Sequence, residues 1–316
     1  MQIQLIATTR LSLDPKLTWL WYSDATKAFI VGDEKASYAV PIDNPATATS
    51  LVPERPFNND GQSPPRNLPI PAALYAEFAQ MRWHGFRFLD ASASELPVEG
   101  GKPPSGDLVR TLVFGPDYGH FVLHPPTGLV LALRGGSIQL LEPSDSGFIF
   151  LDKTKTRGRA ALAFAAHPTE PLIAYGDNFG DFHAHRFAGT QFARANKIAA
   201  KERKASRIEF LQNGGLLMIG GMGYLATYRY ADGKFTPLHD TSTSVRDFVV
   251  TNDGEHVYVN QGMNGLTVYR YDASGFTKLA ATKPGGAIQQ IAVSMDRTRV
   301  AMTFQDDPTI SVYAIA

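Results

Sequence analysis

Residues Val245–Leu279 read VRDFVVTNDGEHVYVNQGMNGLTVYRYDASGFTKL. The apolar run Phe248, Val249, Val250 meets a turn at Asn252-Asp253-Gly254. A second run, His256 to Val259, ends in a loop holding Gly262, Asn264 and Gly265. Two further runs follow, Leu266 to Tyr271 and Phe276 to Leu279. Asn-Asp-Gly between β-branched and aromatic runs is hairpin chemistry, because the turn needs residues that tolerate positive φ. The stretch therefore predicts one four-stranded antiparallel sheet.

The same unit recurs along the chain. Its second strand, a short apolar run followed by a small residue and a polar loop, begins at Ala28 (AFIVGDE), Leu129 (LVLALRGG), Leu172 (LIAYGDN), Leu216 (LLMIGGM), Val257 (VYVNQG) and Val300 (VAMTFQDD). Gly32, Gly176 and Gly220 fall at one place in it, and Asn260 and Thr303 replace them. Trp19 to Tyr38 aligns without a gap on Ala163 to Phe182, setting Phe29 over Ile173, Gly32-Asp33 over Gly176-Asp177, and Tyr38 over Phe182.

The starts are 101, 43, 44, 41 and 43 residues apart, so the first interval holds two units and an insertion. Counting from Val300 to Ala316 and on from Met1 to Ala28 gives another period of 44. The last copy has three strands only (Ile288 to Val293, Val300 to Phe304, Thr309 to Ile315), and the spare N-terminal strand Gln2 to Thr8 supplies a fourth. Such an exchange covers a sheet edge that would otherwise be exposed. Periods of this length favour blades over a sandwich of unequal strands. The expected fold is all-β: a single-domain, seven-bladed β-propeller of four-stranded antiparallel blades over residues 1–316, its ring closed by the N-terminal strand joining the C-terminal blade.

One region breaks the pattern. Eight prolines lie between Pro41 and Pro71, and Glu99 to Gly106 is a second Gly/Pro loop. Proline removes ladder donors, so residues 53–106 are expected to hold an exposed, irregular excursion. Within it, AALYAEFAQMRW places Leu74, Phe78 and Met81 on one face of a helix, with a strand as the alternative because Trp83 to Leu89 continues in strand-like fashion. The second blade is to be assembled from that segment and Leu108 to Phe114.

Composition excludes several classes. Apolar residues make up 44% of the chain and charged residues 19%, ordinary for a globular protein with a sizeable core. Thirty basic against thirty acidic residues leave no net charge, so attraction to a nucleic acid or a membrane has to come from local patches. There are no cysteines, hence no disulfide framework, thiolate metal site or cysteine nucleophile. The N-terminus lacks the basic-then-apolar order of a signal peptide, and no run reaches the roughly 18 apolar residues of a membrane span. The expectation is a soluble, cytoplasmic monomer without a cofactor.

Two groups of residues are candidates for function. Lys153, Lys155, Arg157 and Arg159 are expected to join blades three and four, and Lys197, Lys201, Arg203, Lys204 and Arg207 to join blades four and five. Equivalent linkers emerge on one face, so the two runs form a candidate basic surface for a protein partner, acidic in character, or for a nucleic-acid backbone; a solvated rim is the structural alternative. Asp181, His183 and His185 share one strand face, a spacing that some metal sites use. Structural histidines are the competing reading. His124 and His167 precede proline at the same turn of adjacent blades. No Gly-x-Ser-x-Gly elbow, phosphate loop or HExxH occurs.

The segment Phe164 to Phe187, FAAHPTEPLIAYGDNFGDFHAHRF, resembles a WD40-type blade, while TVYRYDASGFTKL and TISVYAIA resemble the outer strands of lactonase-type (YVTN) seven-bladed propellers. No unit ends in the Trp-Asp pair of WD40 repeats. The doublet Gly220-Gly221 with Tyr228 and Phe235 is kelch-like in one unit only. The lactonase resemblance implies acid, histidine and arginine side chains converging in a central channel to open a sugar lactone, and no segment here carries that constellation. The excursion at 53–106 and the basic linkers motivate the expectation of a non-catalytic interaction scaffold that uses the loop faces of a rigid propeller. A small-molecule hydrolase or ligand binder using the channel is the alternative.

Overall fold

The computed structural model describes residues 1–13, 19–33, 36–51, 83–84, 86–89, 108–109, 111–114, 119–124, 126–134, 137–144, 147–156, 161–177, 180–193, 196–198, 204–251 and 253–316. Apart from two single 3-10 turns, the regular elements among these residues are all strands. The chain divides into two compact units. As far as they are described, one comprises residues 1–51 and 240–316, and the other residues 83–239.

The first unit begins with β1 (Ile3–Arg10), β2 (Trp19–Ser23), β3 (Ala28–Gly32), β4 (Ser37–Pro41) and β5 (Thr49–Leu51). Strands β2 to β5 form an antiparallel sheet in sequence order. In the second unit, β6 (Trp83–His84), β7 (Phe86–Leu89), β8 (Leu108–Val109) and β9 (Thr111–Phe114) precede β10 (Gly119–His124), β11 (Leu129–Arg134), β12 (Ser137–Ser144) and β13 (Gly147–Lys155). Next come β14 (Ala161–Ala166), β15 (Leu172–Asp177), β16 (Phe182–Ala188), β17 (Gln191–Phe192) and β18 (Asn196–Ile198), then β19 (Ala205–Leu211), β20 (Leu216–Gly221), β21 (Tyr224–Ala231) and β22 (Lys234–Thr241). Each of these last two groups makes one meander, with β17 and β18 both pairing β16.

The chain returns to the first unit with β23 (Asp247–Val250), β24 (His256–Asn260), β25 (Leu266–Asp272) and β26 (Gly275–Thr282), the sheet read from Val245–Leu279. Strands β27 (Ile288–Val293), β28 (Arg299–Phe304) and β29 (Asp307–Ile315) then form a sheet that β1 completes, in the order β1-β29-β28-β27. The N-terminal strand thus joins the last sheet as its spacing required. Ile3 pairs Ile315, Arg10 pairs Thr309, and Gln2 and Ala316 exchange backbone hydrogen bonds of 2.6 and 3.0 Å.

The insertion behaves differently from a plain fourth-strand count. Strands β7 and β9 pair, as the second unit required, but Trp83-His84 pairs with β10 and Leu108-Val109 with β13. Those two segments therefore extend the sheet of β10 to β13 to six strands. The expected helix over AALYAEFAQM and most of the excursion at 53–106 lie outside the described residues.

Alternation along the strands sends side chains to both faces of each sheet, and successive sheets bury them against each other. Leu131, Ile138 and Leu140 of one sheet pack with Phe164, Ile173, Tyr175 and Phe187 of the next. The opposite face of that second sheet sends Phe182 and Ala184 against Ile208, Leu217, Ile219 and Tyr224. In the first unit, Phe29, Val31 and Val40 meet Ala301, Ile310 and Val312. Tyr258, Leu266 and Val268 in turn meet Ile288, Val300, Met302 and Tyr313. A sheet apolar on both faces has to be sandwiched between neighbours, and that is what stacks the sheets within each unit.

The repeated glycine has a packing reason. A Cβ on Gly32 would lie 2.8 Å from the Trp19 ring and the Ala36 carbonyl, and one on Gly176 would lie 2.9 Å from Ala205 Cβ. The following aspartate closes the hairpin: Asp33 accepts from Ala36 N–H at 2.9 Å, and Asp177 from Asp181 N–H at 3.0 Å. The second turn is one residue longer, since Gly32 pairs Ser37 whereas Gly176 pairs Phe182. The ungapped alignment is therefore correct through Gly-Asp and one residue out of step beyond it. By pairing, Tyr38 corresponds to His183.

Candidate functional site

Five of the described turns between first and second strands share one device, while Leu211 stands at that position in the β19–β20 turn and makes no side-chain bond. A hydrogen-bonding side chain opens each of the five and satisfies its backbone: Ser23 accepts from Thr26 N–H (3.3 Å), Thr251 donates to the His256 carbonyl (3.2 Å), and Ser294 donates to that of Arg299 (3.2 Å). His124 and His167 fill this position in two consecutive sheets, which is why both precede proline. His124 Nε2 donates to the Glu170 carbonyl at 2.9 Å, which leaves Nδ1 to accept from Thr127 Oγ1 at 2.8 Å. His167 has the same tautomer. Its Nδ1 accepts from Glu170 N–H at 3.0 Å, and its Nε2–H is buried against Gly214, with that carbonyl near but outside good hydrogen-bond geometry. His124 so ties its own turn to the turn of the next sheet by a hydrogen bond, and His167 does so by packing against Gly214. Burial holds both imidazoles below their ordinary pKa, outweighing the carbonyls that favour the charged form.

Beside them lies an ionic cluster that the sequence did not announce. Arg186 donates to Glu170 Oε2 at 2.7 Å and to Tyr230 Oη at 2.8 Å, and the tyrosine donates to the same carboxylate oxygen at 2.8 Å. Burial pushes the Glu170 carboxyl up, but the bonds from Tyr230 and Arg186 overcome this and leave it below its usual value. Burial and the bond to Glu170 push the Tyr230 hydroxyl up to about 12. The residues are 16 and 60 positions apart, so only the paired sheets reveal the cluster.

Of the three metal-ligand candidates, two converge. Donor atoms of Asp177, Asp181 and His183 lie within 4.8 Å of one another. His185 is turned elsewhere: its Nδ1 donates to the Ala193 carbonyl at 3.3 Å and its Nε2 accepts from Tyr175 Oη at 3.2 Å. Tyr175 stacks on both imidazoles. Asp177 Oδ1 is taken by Asp181 N–H, and Oδ2 faces His183 Nε2 at 3.2 Å. The arrangement is that of a turn lock, with three donors where a closed zinc site uses four.

The basic candidates separate on inspection. Lys153 and Lys155 belong to β13, not to a linker: the β12–β13 hairpin carries the ladder through Gln139↔Lys153 to Ser137↔Lys155. Two apart on a regular ladder, they share a face; Lys155 is exposed and Lys153 half-buried. Lys197 lies on β18 opposite His183. Lys204 is exposed just before β19, while Arg207 is mostly buried and pairs with Glu209 at 2.9 Å. Arg157, Arg159, Lys201 and Arg203 lie outside the described residues. The exposed apolar side chains are concentrated at hairpin tips and on β1: Met222 between β20 and β21 is 86% exposed, Met263 between β24 and β25 is 69% exposed, and Leu5 and Ile6 are also exposed.

Neither a protein-family model nor a curated protein sequence matches the chain significantly. Solved structures do. The β-propeller domain of Cps50 (Swd1) from Myceliophteria thermophila is similar over 99% of this chain and 100% of that one, with a TM-score of 0.63 and 10% identity. A chain of the Mitotic Checkpoint Complex is similar over 99% of this chain and 92% of its own length, with a TM-score of 0.63 and 12% identity. A protein from Lactobacillus plantarum covers 74% of this chain and 79% of its own, with a TM-score of 0.51 and 10% identity. At such identities the likeness is one of fold: the chain has an all-β, propeller-type fold of antiparallel sheets, with strand β1 completing the last. No helix among the described residues is long and apolar enough to cross a membrane.

Proposed function

We propose that the protein is a non-catalytic interaction scaffold, a stack of sheets that presents hairpin tips and a basic surface to a protein partner in the cytoplasm. The observation that carries this reading is the division of labour among side chains. Polar side chains of several described turns are engaged within the protein, as His124, His167 Nδ1 and Asp177 show, whereas Met222, Met263, Lys155 and Lys204 are exposed. Exposed methionine suits a contact surface because its unbranched, polarizable side chain adapts to a partner's shape. One of the similar solved structures is itself part of a multi-protein complex, which supports the same reading. The partner that suits the lysines is acidic.

Affinity capture from native extract tests this, with the full chain, a Lys155→Glu/Lys204→Glu variant, and a Met222→Ser/Met263→Ser variant as baits. Solvated side chains rarely shift stability by more than about 0.5 kcal/mol each, so both variants remain folded. Loss of a specific set of proteins from the lysine variant, with salt sensitivity matching a screening length of about 8 Å, supports an acidic partner. Identical recovery by all three baits removes both surfaces from consideration.

A further inference from the structure

The first unit contains an open cleft of 470 Å³ lined by Tyr22, Asp24, Lys27, Ile42, Met295 and Asp296. It lies between the β2–β3 turn, the end of β4 and the β27–β28 turn. Its volume falls in the range of about 300–1,000 Å³ typical of ligand pockets. Tyr22, Ile42 and Met295 give it apolar walls, and Met295 is 53% exposed although its neighbours in the turn are polar. The Tyr22 ring is set edge-on against Phe29, with centroids 5.5 Å apart.

The charges around this cleft do not balance. Lys27 is committed to Asp24, with Nζ 2.5 Å from its carboxylate. Arg297 is committed to Asp253, and Arg299 donates to the Thr298 carbonyl at 2.9 Å. Asp296 accepts from Ser294 Oγ at 2.6 Å and from Thr298 N–H and Oγ1 at 3.0 and 2.9 Å, so its carboxylate is fixed in place by neutral donors. Burial pushes the Asp296 carboxyl up, but those bonds and the Arg299 charge outweigh it, and the group is ionised at neutral pH. Asp43, next to Ile42, is exposed and close enough to act on Tyr22. Among the described residues neither Asp43 nor Asp296 has an ion-pair partner.

A cleft with apolar walls beside two carboxylates that have no ion-pair partner among the described residues fits a side chain with a long apolar stem and a cationic head. We propose that this cleft receives an arginine of an extended segment of a partner protein, its stem against Ile42 and Met295 and its guanidinium toward Tyr22 and Asp296. Arginine fits better than lysine because its planar fork matches a carboxylate and also lies on an aromatic face. The inference rests on the scaffold reading, adding a basic partner segment at a surface distinct from the lysines.

The test uses the full chain with 13C-labelled methionine methyls and the peptide acetyl-Ala-Arg-Ala-amide, with its citrulline counterpart as the uncharged isostere. The arginine peptide is expected to shift the Met295 methyl saturably and to leave those of Met222 and Met263 in place. Citrulline binds at least about fivefold more weakly, and Asp296→Asn and Asp43→Asn each weaken the arginine peptide about fivefold, the size of one part-exposed ion pair. Asp43 is exposed and makes no turn bond among the described residues, so its variant keeps the test valid even if Asp296→Asn unfolds. A silent Met295 methyl, equal shifts at all three methyls, or equal binding of citrulline overturns the proposal. Capture of partners from extract is read separately: partners recovered by a protein with a silent Met295 leave the scaffold reading standing without this site, and a responsive Met295 with no captured partner does the reverse.

Discussion

Replacing Gly214 by alanine attacks the joint between two sheets at its tightest point. Gly214 has φ +96°, and a Cβ there would lie 1.9 Å from His167 Nε2, well inside contact. The left-handed backbone costs about 1–2 kcal/mol for a residue with a Cβ. The imidazole has to move as well, and it is held by N–H groups of Thr169 and Glu170 on Nδ1, each worth about 1 kcal/mol. It is also held edge-on by Phe210 at 4.9 Å and Tyr230 at 5.1 Å, contacts of about 0.5–1.5 kcal/mol apiece. Losing half of these and straining the backbone comes to roughly 2.5–4.5 kcal/mol. Gly215 is the internal control: its φ is −67°, and a Cβ would meet only the Gln212 carbonyl, at 3.5 Å. Gly215→Ala is expected to be neutral or to stabilise by up to about 1 kcal/mol through the unfolded chain. Urea unfolding of both variants reads the difference. In Gly214→Ala/His167→Ala the obstructing ring is gone, so the double variant is expected to lose less than the sum of the single losses. Unfolding midpoints of the two glycine variants corresponding to energies within about 0.5 kcal/mol, or additive losses in the double variant, would refute the reasoning.

Three further outcomes are expected. Stability should fall below pH 6.5, the ordinary histidine value, because His124 and His167 are neutral in the fold and take up protons on unfolding; the loss is at most about 1.4 kcal/mol per pH unit for each. A flat urea midpoint between pH 8 and pH 5.5 would contradict it. Tyr258→Phe removes a hydroxyl that is buried without a hydrogen-bond partner, so stability should rise by up to about 1 kcal/mol, and a loss of that size would show that the hydroxyl is satisfied. Deleting residues 1–8 unpairs the edge of β29, and because the outward face of β1 is exposed the loss is carried mainly by ladder bonds, about 0.5–1.5 kcal/mol for each; an unchanged denaturant midpoint would mean that β1 is ornamental.

The repeat itself was legible because it is local. Asn-Asp-Gly in the β23–β24 turn, the Gly-Asp pairs at 32–33 and 176–177, and the strand left over at the N-terminus each state a requirement that neighbouring residues alone impose. What depended on distant partners was not. The extra residue in the Asp177 turn shifts its third strand by one, and an ungapped alignment has no means of registering that. Lys153 and Lys155 looked like linker because strand length is set by the partner ladder of β12, not by composition. His183 and His185 looked equivalent on one strand, yet Asp177 reaches only the first and Tyr175 Oη takes the second. The joining of Glu170, Arg186 and Tyr230 required knowing which sheets are neighbours.

The sheet that β1 completes also sets an order of events during synthesis. Thr8 hydrogen-bonds Ser311 across a separation of 303 residues, so β1 is made long before its partner strand and is among the last to find its place. At roughly 5–20 residues per second the ribosome takes about 15–60 s to deliver β29 after β1. For that interval the nascent chain displays an unpaired edge carrying Leu5 and Ile6, a template that other nascent chains or a chaperone can engage.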